Sequence, residues 1–302
     1  MPPRPSIAPE ALAALSVPRA GPWLAAAVLD WAVIVAIFAV VARIDHPVAY
    51  ALAVFPLGSR QQGLGALFHD AAHRLVTKRR GWNDALGSVV AAWPLGLTLG
   101  GYRRYHFAHH EGLGTPRDPE LTHKRTLPQW RLPASPLRMM RDFTSDLVGG
   151  GLPHLVAAGN LTRPISLLET AGIGAFWLGI FAIAWHLHVL WMPALWIAGV
   201  ATVFWSGVRL RIWTEHLGTK GTHRITVPWW LAHLIMPHQI GLHWEHHHFP
   251  GVPFSNLVRL RALLPSPTLP LGTLVRAFFT ARALPSGTIG EVIDEQAKTH
   301  AE

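Results

Sequence analysis

Cysteine is absent from the chain, and charged residues are scarce. None of the 302 residues is cysteine, which excludes a disulfide framework, a cysteine-ligated iron–sulfur cluster and a thiolate zinc site. Any metal ion must therefore be bound by histidine, carboxylate or carbonyl groups. Asp, Glu, Lys and Arg make up only 14% of the residues, whereas soluble domains average about 25%. Because 50% of the residues are hydrophobic, the composition indicates a membrane protein.

The charge that is present is mostly positive and borders apolar runs. The formal net charge is +9, which in a soluble protein would suggest nucleic-acid binding. Basic residues beside hydrophobic segments instead follow the positive-inside rule for cytosolic loops. The chain also has 14 Trp but only 3 Tyr, and the indole ring suits the membrane interface. We therefore expect a membrane-embedded protein that binds no nucleic acid.

Four apolar segments are long enough to cross a bilayer. They are residues 22–41, 48–68, 167–185 and 189–208. Asp30 should face the bundle interior, because a charge is costly in lipid. A fifth segment, residues 82–101, is interrupted by Pro94 and several glycines, which favours a half-inserted or interfacial helix. The predicted fold is an all-α membrane protein with four transmembrane helices, this fifth helix and a His-rich cytosolic cap. We expect a single domain over residues 1–302, with its core at about residues 22–280.

Histidine is abundant and strongly clustered. The chain has 19 His residues, and three groups of them flank apolar segments. The groups are His69 and His73; His106, His109 and His110; and His243, His246 and His247. Residues three and four apart share one face of a helix, so each group can present its imidazoles to one side. Adjacent residues such as His109 and His110 point about 100° apart, so they can serve two neighbouring metal ions.

These eight histidines are too many for one metal ion. A structural zinc ion is bound by four ligands in a closed site. Eight imidazoles suffice for two metal ions that keep positions open for dioxygen, so the pattern indicates a pair of redox metals. Imidazole binds zinc, copper, iron and nickel, and the spacing alone leaves the metal undetermined.

The histidine groups can share a metal centre only if they lie on one side of the membrane. With the N-terminus in the cytosol, the four predicted spans place residues 69–73, 216 and 243–247 inside. Residues 106–110 join them only if segment 82–101 does not cross, because a crossing would separate them by about 30 Å. The charges agree with this topology. Eleven Lys and Arg residues between 78 and 141 would be cytosolic, while the short outer loops hold only Arg43 near a boundary.

Three stretches resemble, in order and placement, the histidine boxes of membrane fatty acid desaturases. They are HDAAH at 69–73, HFAHH at 106–110 and HWEHH at 243–247. The stretches HHEGLGTPRDPEL at 109–121 and HWEHHHFPGVPFSNL at 243–257 are also similar to the family, and the similarity extends over about residues 48–264. It implies a di-iron centre bound by the eight box histidines and by His216, which matches a ninth ligand just past the last span. His248 stands where the family usually has Leu.

The resemblance implies a fatty acid desaturase-type oxidoreductase that uses dioxygen and two iron ions (Fe2+/Fe3+) to introduce a double bond into a long acyl chain of a lipid. A separate electron donor, a ferredoxin-like or haem protein, would dock on the basic cytosolic surface. A lipid or carotenoid hydroxylase or ketolase of the same superfamily is an alternative. A His-rich metal transporter is another, although its ligands should lie near the middle of the bilayer. The His boxes are expected on the cytosolic face of a bacterial inner membrane.

Other polar and aromatic residues have two interpretations each. Acidic residues in or beside the boxes either accept hydrogen bonds from ligand N–H groups or are solvated: Asp70, Glu215 and Glu245. Asp118 has the same role or caps a turn. Arg60 either contacts a substrate headgroup or extends its charged end towards the membrane surface, and Gln61 either contacts a headgroup or lies at a helix end. Three Trp residues line an acyl tunnel or pack in the core: Trp93, Trp205 and Trp213. Seven further histidines are expected at the surface: His123, His154, His186, His188, His223, His233 and His238.

Overall fold

The computed structural model shows a predominantly helical chain. It describes residues 5–125, 127–264 and 266–280, so both ends of the predicted domain lie outside the described residues. The helices are α1 Pro9–Leu15, α2 Ala20–Ile44, α3 Pro47–Ala72, α4 Arg80–Leu86, α5 Leu99–Gly112, α6 Pro119–Arg125, α7 Pro136–Leu147, α8 Leu152–Leu161, α9 Leu167–His186, α10 Trp191–Gly199, α11 Trp205–Glu215, α12 Trp229–Ile235, α13 His243–His248, α14 Phe254–Leu263 and α15 Leu271–Thr280. Two short strands, β1 Ile225–Thr226 and β2 Leu269–Pro270, pair in parallel.

Among the described residues, three helices are long and apolar enough to cross a membrane. They are α2, α9 and the continuous helix Trp191–Glu215, which joins α10 to α11 through a π-helical segment at Val200–Phe204. The predicted continuation of the last span towards His216 is therefore confirmed. α3 is long enough to cross, with 26 residues, but its polar second half keeps it from meeting the composition expected of a span.

The polar residues of α3 are buried among neighbouring helices. Gln61 is 0% exposed, and its Nε2 atom donates to the Trp196 carbonyl at 2.9 Å. Gln62 donates in the same way to the carbonyl of Phe204. Both interactions satisfy carbonyls beside the π-helical segment of the last span. Gln61 therefore neither ends a helix nor reaches a headgroup, because it is fully enclosed by tertiary packing.

A buried ionic cluster connects α2 and α3 to the segment that precedes the third histidine box. Asp30 is 0% exposed, and its carboxylate accepts hydrogen bonds from Arg60 Nη1 at 3.0 Å and His238 Nε2 at 2.6 Å. Arg60 also donates to the carbonyl of His233 at 3.1 Å. α3 has glycine at position 63, where a Cβ atom would overlap the Asp30 carboxylate. The expectation that Asp30 faces the interior is confirmed, and Arg60 is a partner of Asp30.

The segment between α4 and α5 bends sharply instead of continuing as one straight helix. α4 passes into a π-helical segment at Gly87–Ala92 and a 3₁₀ turn at Trp93–Leu95. Gly96 follows in the left-handed region, with φ +75°, and α5 then leaves at 90° to the preceding helical stretch. Pro94 lacks a backbone N–H and favours this break. Its free carbonyl accepts a hydrogen bond from Trp196 Nε1 at 2.7 Å, which fixes the bend against the last span.

The seven histidines expected at the surface divide into three kinds. His186, His188 and His233 are exposed. His123 and His154 are half-buried. The expectation is wrong for His223, which is 1% exposed and donates from Nε2 to the Leu217 carbonyl at 2.8 Å. It is also wrong for His238, whose Nε2 atom donates to the buried Asp30 carboxylate at 2.6 Å. A buried carboxylate needs such paired donors.

Candidate metal centre

Four separate parts of the chain bring the box histidines to one place. His69 and His73 lie at the C-terminal end of α3, where His73 is the C-cap. The second box lies in the C-terminal half of α5, the helix that follows the 90° bend. His216 is the C-cap of α11, and the third box forms α13. The predicted helical placement of both HxxHH motifs is therefore confirmed.

The first group of imidazoles comprises His69, His73, His106, His110 and His246. The Nε2 atom of His106 lies 2.9 Å from that of His73 and 3.0 Å from that of His110. The Nε2 atom of His246 lies 3.1 Å from that of His110. One ring nitrogen from each of His69, His73, His106 and His246 lies within 4.8 Å of the others. Boxes one and two therefore cannot lie across a bilayer from each other.

The second group comprises His109, His216, His243 and His247. The Nε2 atom of His243 lies 2.8 Å from that of His216 and 3.0 Å from that of His247. Ring nitrogens of His109, His216 and His247 lie within 4.8 Å of one another. The two neighbours in the second box thus join different groups, as their angular separation on a helix predicts. The rings of His110 and His247 stack at 4.2 Å and connect the groups.

The chemistry of these nitrogens fits bound metal cations. Two facing imidazole nitrogens can share one proton, but several converging nitrogens cannot all be satisfied by protons. The Nε2 atoms of His69 and His109 are buried without a hydrogen-bond partner in the described part of the chain. Burial lowers the pKa of His246 and His247 well below the ordinary value, so these rings stay neutral and keep lone pairs for a metal. The converging nitrogens therefore form groups that could hold metal ions that bind imidazole.

Carboxylates orient the ring of His109 from behind. The Nδ1 atom of His109 donates to Asp118 Oδ1 at 2.9 Å, and Glu120 Oε2 lies 3.6 Å from the same nitrogen. Asp118 also accepts the backbone N–H of Glu120 at 2.9 Å at the start of α6. It therefore has both roles that the sequence left open. Glu120 also pairs with Lys124. It was not identified from the sequence, in which only its position two residues after Asp118 indicated a role beside His109.

The three acidic residues predicted to support ligands have different contacts. Glu215 is held by Arg211 at 2.9 and 3.1 Å. Its Oε2 atom lies 3.6 Å from His243 Nε2, and it groups with His216 and His243 as a possible metal ligand. It thus faces the metal site itself.

The other two carboxylates bind elsewhere. Asp70 accepts the backbone N–H of Phe254 at 3.1 Å and so anchors the start of α14. Glu245 accepts from Arg224 Nε at 2.7 Å. Glu245 lies about 200° around α13 from His243 and therefore faces away from the metal-binding side. His248 is turned similarly, since its Nδ1 atom donates to the Trp244 carbonyl at 2.9 Å.

A cavity of about 230 Å³ opens onto both imidazole groups. Its metal-side wall contains His69, His106, His109, His216 and His243. The remaining wall is mostly apolar and includes Phe68, Leu97, Leu155, Ala158, Phe204, Trp205 and Ile212, with the half-buried His123 and His154 also present. Of the three Trp residues considered for a tunnel, Trp205 lines this cavity. Trp213 belongs to a hydrophobic core cluster, and Trp93 packs against Phe176.

The fold and the site define a helical protein with candidate membrane spans and a histidine-rich metal site beside an apolar cavity. The profile of the fatty acid desaturase family matches residues 45–277, and the chain belongs to this family. It is 29% identical over 231 residues to dihydrorhizobitoxine desaturase of Bradyrhizobium elkanii, which covers 68% of this chain and 64% of the relative.

Shorter matches connect the chain to yeast proteins. It is 34% identical over 70 residues to a Delta 8-(E)-sphingolipid desaturase of Lachancea kluyveri, covering 23% of this chain and 12% of that protein. It is 35% identical over 75 residues to that of Kluyveromyces lactis, covering 24% and 13%. The chain thus spans less than two thirds of the length of each of these relatives. Membership of the family supports desaturase-type oxidation.

Proposed function

We propose that this protein is a membrane di-iron oxidase that introduces a double bond into a long acyl chain of a lipid, using dioxygen and external electrons. The observation that supports this best is the arrangement of two adjacent imidazole groups along one wall of an apolar cavity. A metal transporter would place its ligands along a path near the bilayer middle. Here the ligands instead lie at helix ends, where a substrate carbon in the cavity can approach them.

The proposed ligand set divides between two irons. His69, His73, His106, His110 and His246 would hold one ion. His109, His216, His243 and His247 would hold the other, with Glu215 as a possible oxygen ligand. Asp118 would fix the tautomer of His109 so that its Nε2 lone pair faces the metal.

Bound irons would supply dioxygen reduction and the removal of hydrogen from an unactivated methylene. Loss of two hydrogen atoms from adjacent carbons yields two electrons and two protons. A donor supplies two further electrons and solvent two protons, so one dioxygen becomes two waters. The protein selects the carbon, because the cavity wall formed by Phe68, Leu155 and Phe204 determines how the chain lies beside the histidines.

The proposed membrane arrangement keeps every box on the cytosolic side. α2, α3, α9 and the helix Trp191–Glu215 would be the four spans, and the bent segment between α4 and α5 would be half-inserted. Residues 1–302 would form one domain in a bacterial inner membrane. The burial of Gln61, Gln62 and Asp30 supports α3 as a span, since its polar groups are paired inside the bundle.

Lipid profiling of a host with and without the protein tests the proposal. Expression should add an unsaturated acyl chain only in the presence of oxygen, and His106→Ala should abolish it, because His106 belongs to the first imidazole group. His186→Ala is the matched control, since His186 is exposed and should leave the product unchanged.

Other products would redirect the assignment. A hydroxylated or ketonic lipid would contradict desaturation and favour the hydroxylase or ketolase alternative. The names of the relatives specify dihydrorhizobitoxine and a sphingolipid, so the profile should include sphingolipids and dihydrorhizobitoxine. An oxygen-dependent change confined to dihydrorhizobitoxine would contradict the acyl substrate.

A further inference from the structure

The histidine cluster is open on two sides. Five of its imidazoles line the substrate cavity. His73 and His110 do not line that cavity, and both residues are half-buried. His246 and His247, which lie between the two sides, are buried. A small reactant can therefore reach the cluster from the cavity, while His73 and His110 offer a second side from which a large partner can approach.

An exposed aromatic ring covers part of this outer edge. Phe107 is 37% exposed, and its ring centroid lies 5.2 Å from that of His73. The next residue, Ala108, is exposed as well, and Glu111 is an acidic residue on the same turn of α5. An apolar ring next to partly exposed polar groups is typical of the centre of a protein–protein contact.

A basic loop borders the same edge. It begins directly after His73 with Arg74, which has φ +62°, and continues to Lys78 and Arg79; all three basic residues are exposed. The side chain of Asn83 holds the loop, because it accepts the backbone N–H of Val76 at 3.2 Å and donates to the end of α3 at 2.8 Å. Among the described residues, no ion pair neutralises Lys78 or Arg79. This edge therefore has excess positive charge even with Glu111 beside it.

We propose that the surface formed by His73, Phe107 and His110, together with the basic loop 74–79, is the docking site of an acidic one-electron carrier protein. We call it the electron-entry face. The proposal rests on the proposed function, which needs two external electrons. Each docked carrier would be oxidised by one electron and the metal centre reduced by one, without transfer of an atom. Two successive dockings supply both electrons, while the lipid stays on the cavity side.

Charge reversal on the loop tests this site. The test variant is Lys78→Glu with Arg79→Glu. The matched control is Arg131→Glu with Arg141→Glu. Both basic residues are exposed and follow Trp130, which lines the cavity, in the sequence. The iron-loaded protein is placed in nanodiscs of neutral phosphatidylcholine, and the probe is an acidic plant-type [2Fe–2S] ferredoxin. The measurements are the Kd of oxidised ferredoxin and the anaerobic rate at which reduced ferredoxin is oxidised. The same rate is measured with photoreduced lumiflavin, a small neutral donor.

We expect the test variant to weaken ferredoxin binding and slow electron transfer by about tenfold or more at low salt. The control should change both by less than about twofold, and lumiflavin should reduce all proteins equally. Equal effects of both variants, an equal loss with lumiflavin, or no ferredoxin binding would overturn the proposal. So would charge-dependent binding of anionic lipid with unchanged ferredoxin kinetics.

The two proposals fail in different ways. Charge-dependent reduction by ferredoxin without any new lipid would support the docking site and contradict the desaturase assignment. Lipid desaturation driven by lumiflavin, with ferredoxin binding and oxidation unchanged by the charge reversal, would support the desaturase assignment and contradict the docking site.

Discussion

A buried ion pair behind the third histidine box should determine whether that box keeps its shape. The side chains of Arg224 and Glu245 are 3% and 1% exposed, with Arg224 Nε 2.7 Å from Glu245 Oε1. The guanidinium group also donates to the Arg261 carbonyl at 3.0 Å and lies 4.9 Å above the ring of Trp244. Glu245 lies between His243 and His246 on α13, so its partner holds the helix that presents both imidazoles.

Replacing Glu245 by Ala leaves the Arg224 guanidinium buried without its counter-charge. Breaking a buried ion pair by removing one partner costs about 3–5 kcal/mol. For a chain of this size, that loss corresponds to a fall in Tm of about 10 °C. We also expect less bound metal, because α13 loses the contact that fixes the side of the helix turned away from its imidazoles.

The assay is thermal unfolding in detergent at a single scan rate, since membrane proteins often unfold irreversibly. The double variant Arg224→Met with Glu245→Leu removes both charges and should recover much of the lost stability. As a control, Arg141→Ala breaks the pair with Asp142, in which the Arg141 side chain is 73% exposed, and should cost at most about 1 kcal/mol. A double variant no more stable than Glu245→Ala would refute the assignment of the loss to an uncompensated charge.

Three further predictions concern other buried groups. Asp30→Asn should lower the unfolding free energy by about 3 kcal/mol in a denaturant titration, because Arg60 loses its buried counter-charge; an unchanged midpoint would contradict this. Asp118→Ala should weaken metal binding about 10–100-fold in competition with a chelator, because His109 loses its hydrogen-bond acceptor. Burial lowers the pKa of His223 from 6.5 to about 4, so the unfolded state takes up its proton first as the pH falls. Protonation of His223 in the unfolded state should therefore lower the free energy of unfolding by about 3 kcal/mol as the pH falls from 6.5 to 4. His223→Gln should flatten the pH dependence in that window.

Local spacing was sufficient to predict the core of the site. The i, i+3, i+4 pattern of His106, His109 and His110 requires only that α5 be helical, and the helix then directs the adjacent histidines to different groups. The break in the segment before α5 was also predictable, because Pro94 and the neighbouring glycines act through backbone geometry. These features depend on residues close together in sequence.

Long-range pairing could not be predicted in the same way. His238 meets Asp30 across 208 positions of sequence, and no local pattern distinguishes such a histidine from a solvated one. Gln61 likewise resembled a polar helix end, because its acceptor, the Trp196 carbonyl, is supplied by another helix. Glu245 points away from the box histidines, as its position two residues after His243 on a helix requires, but its partner Arg224 lies 21 positions away in sequence and no local pattern identifies it.

The metal content of the purified protein tests the central claim most directly. Elemental analysis combined with X-ray absorption at the iron edge should find two irons per chain with mainly nitrogen neighbours, and fewer after His106→Ala or His243→Ala. A single metal ion per chain, or a metal content unchanged by both substitutions, would contradict a centre built from the two imidazole groups.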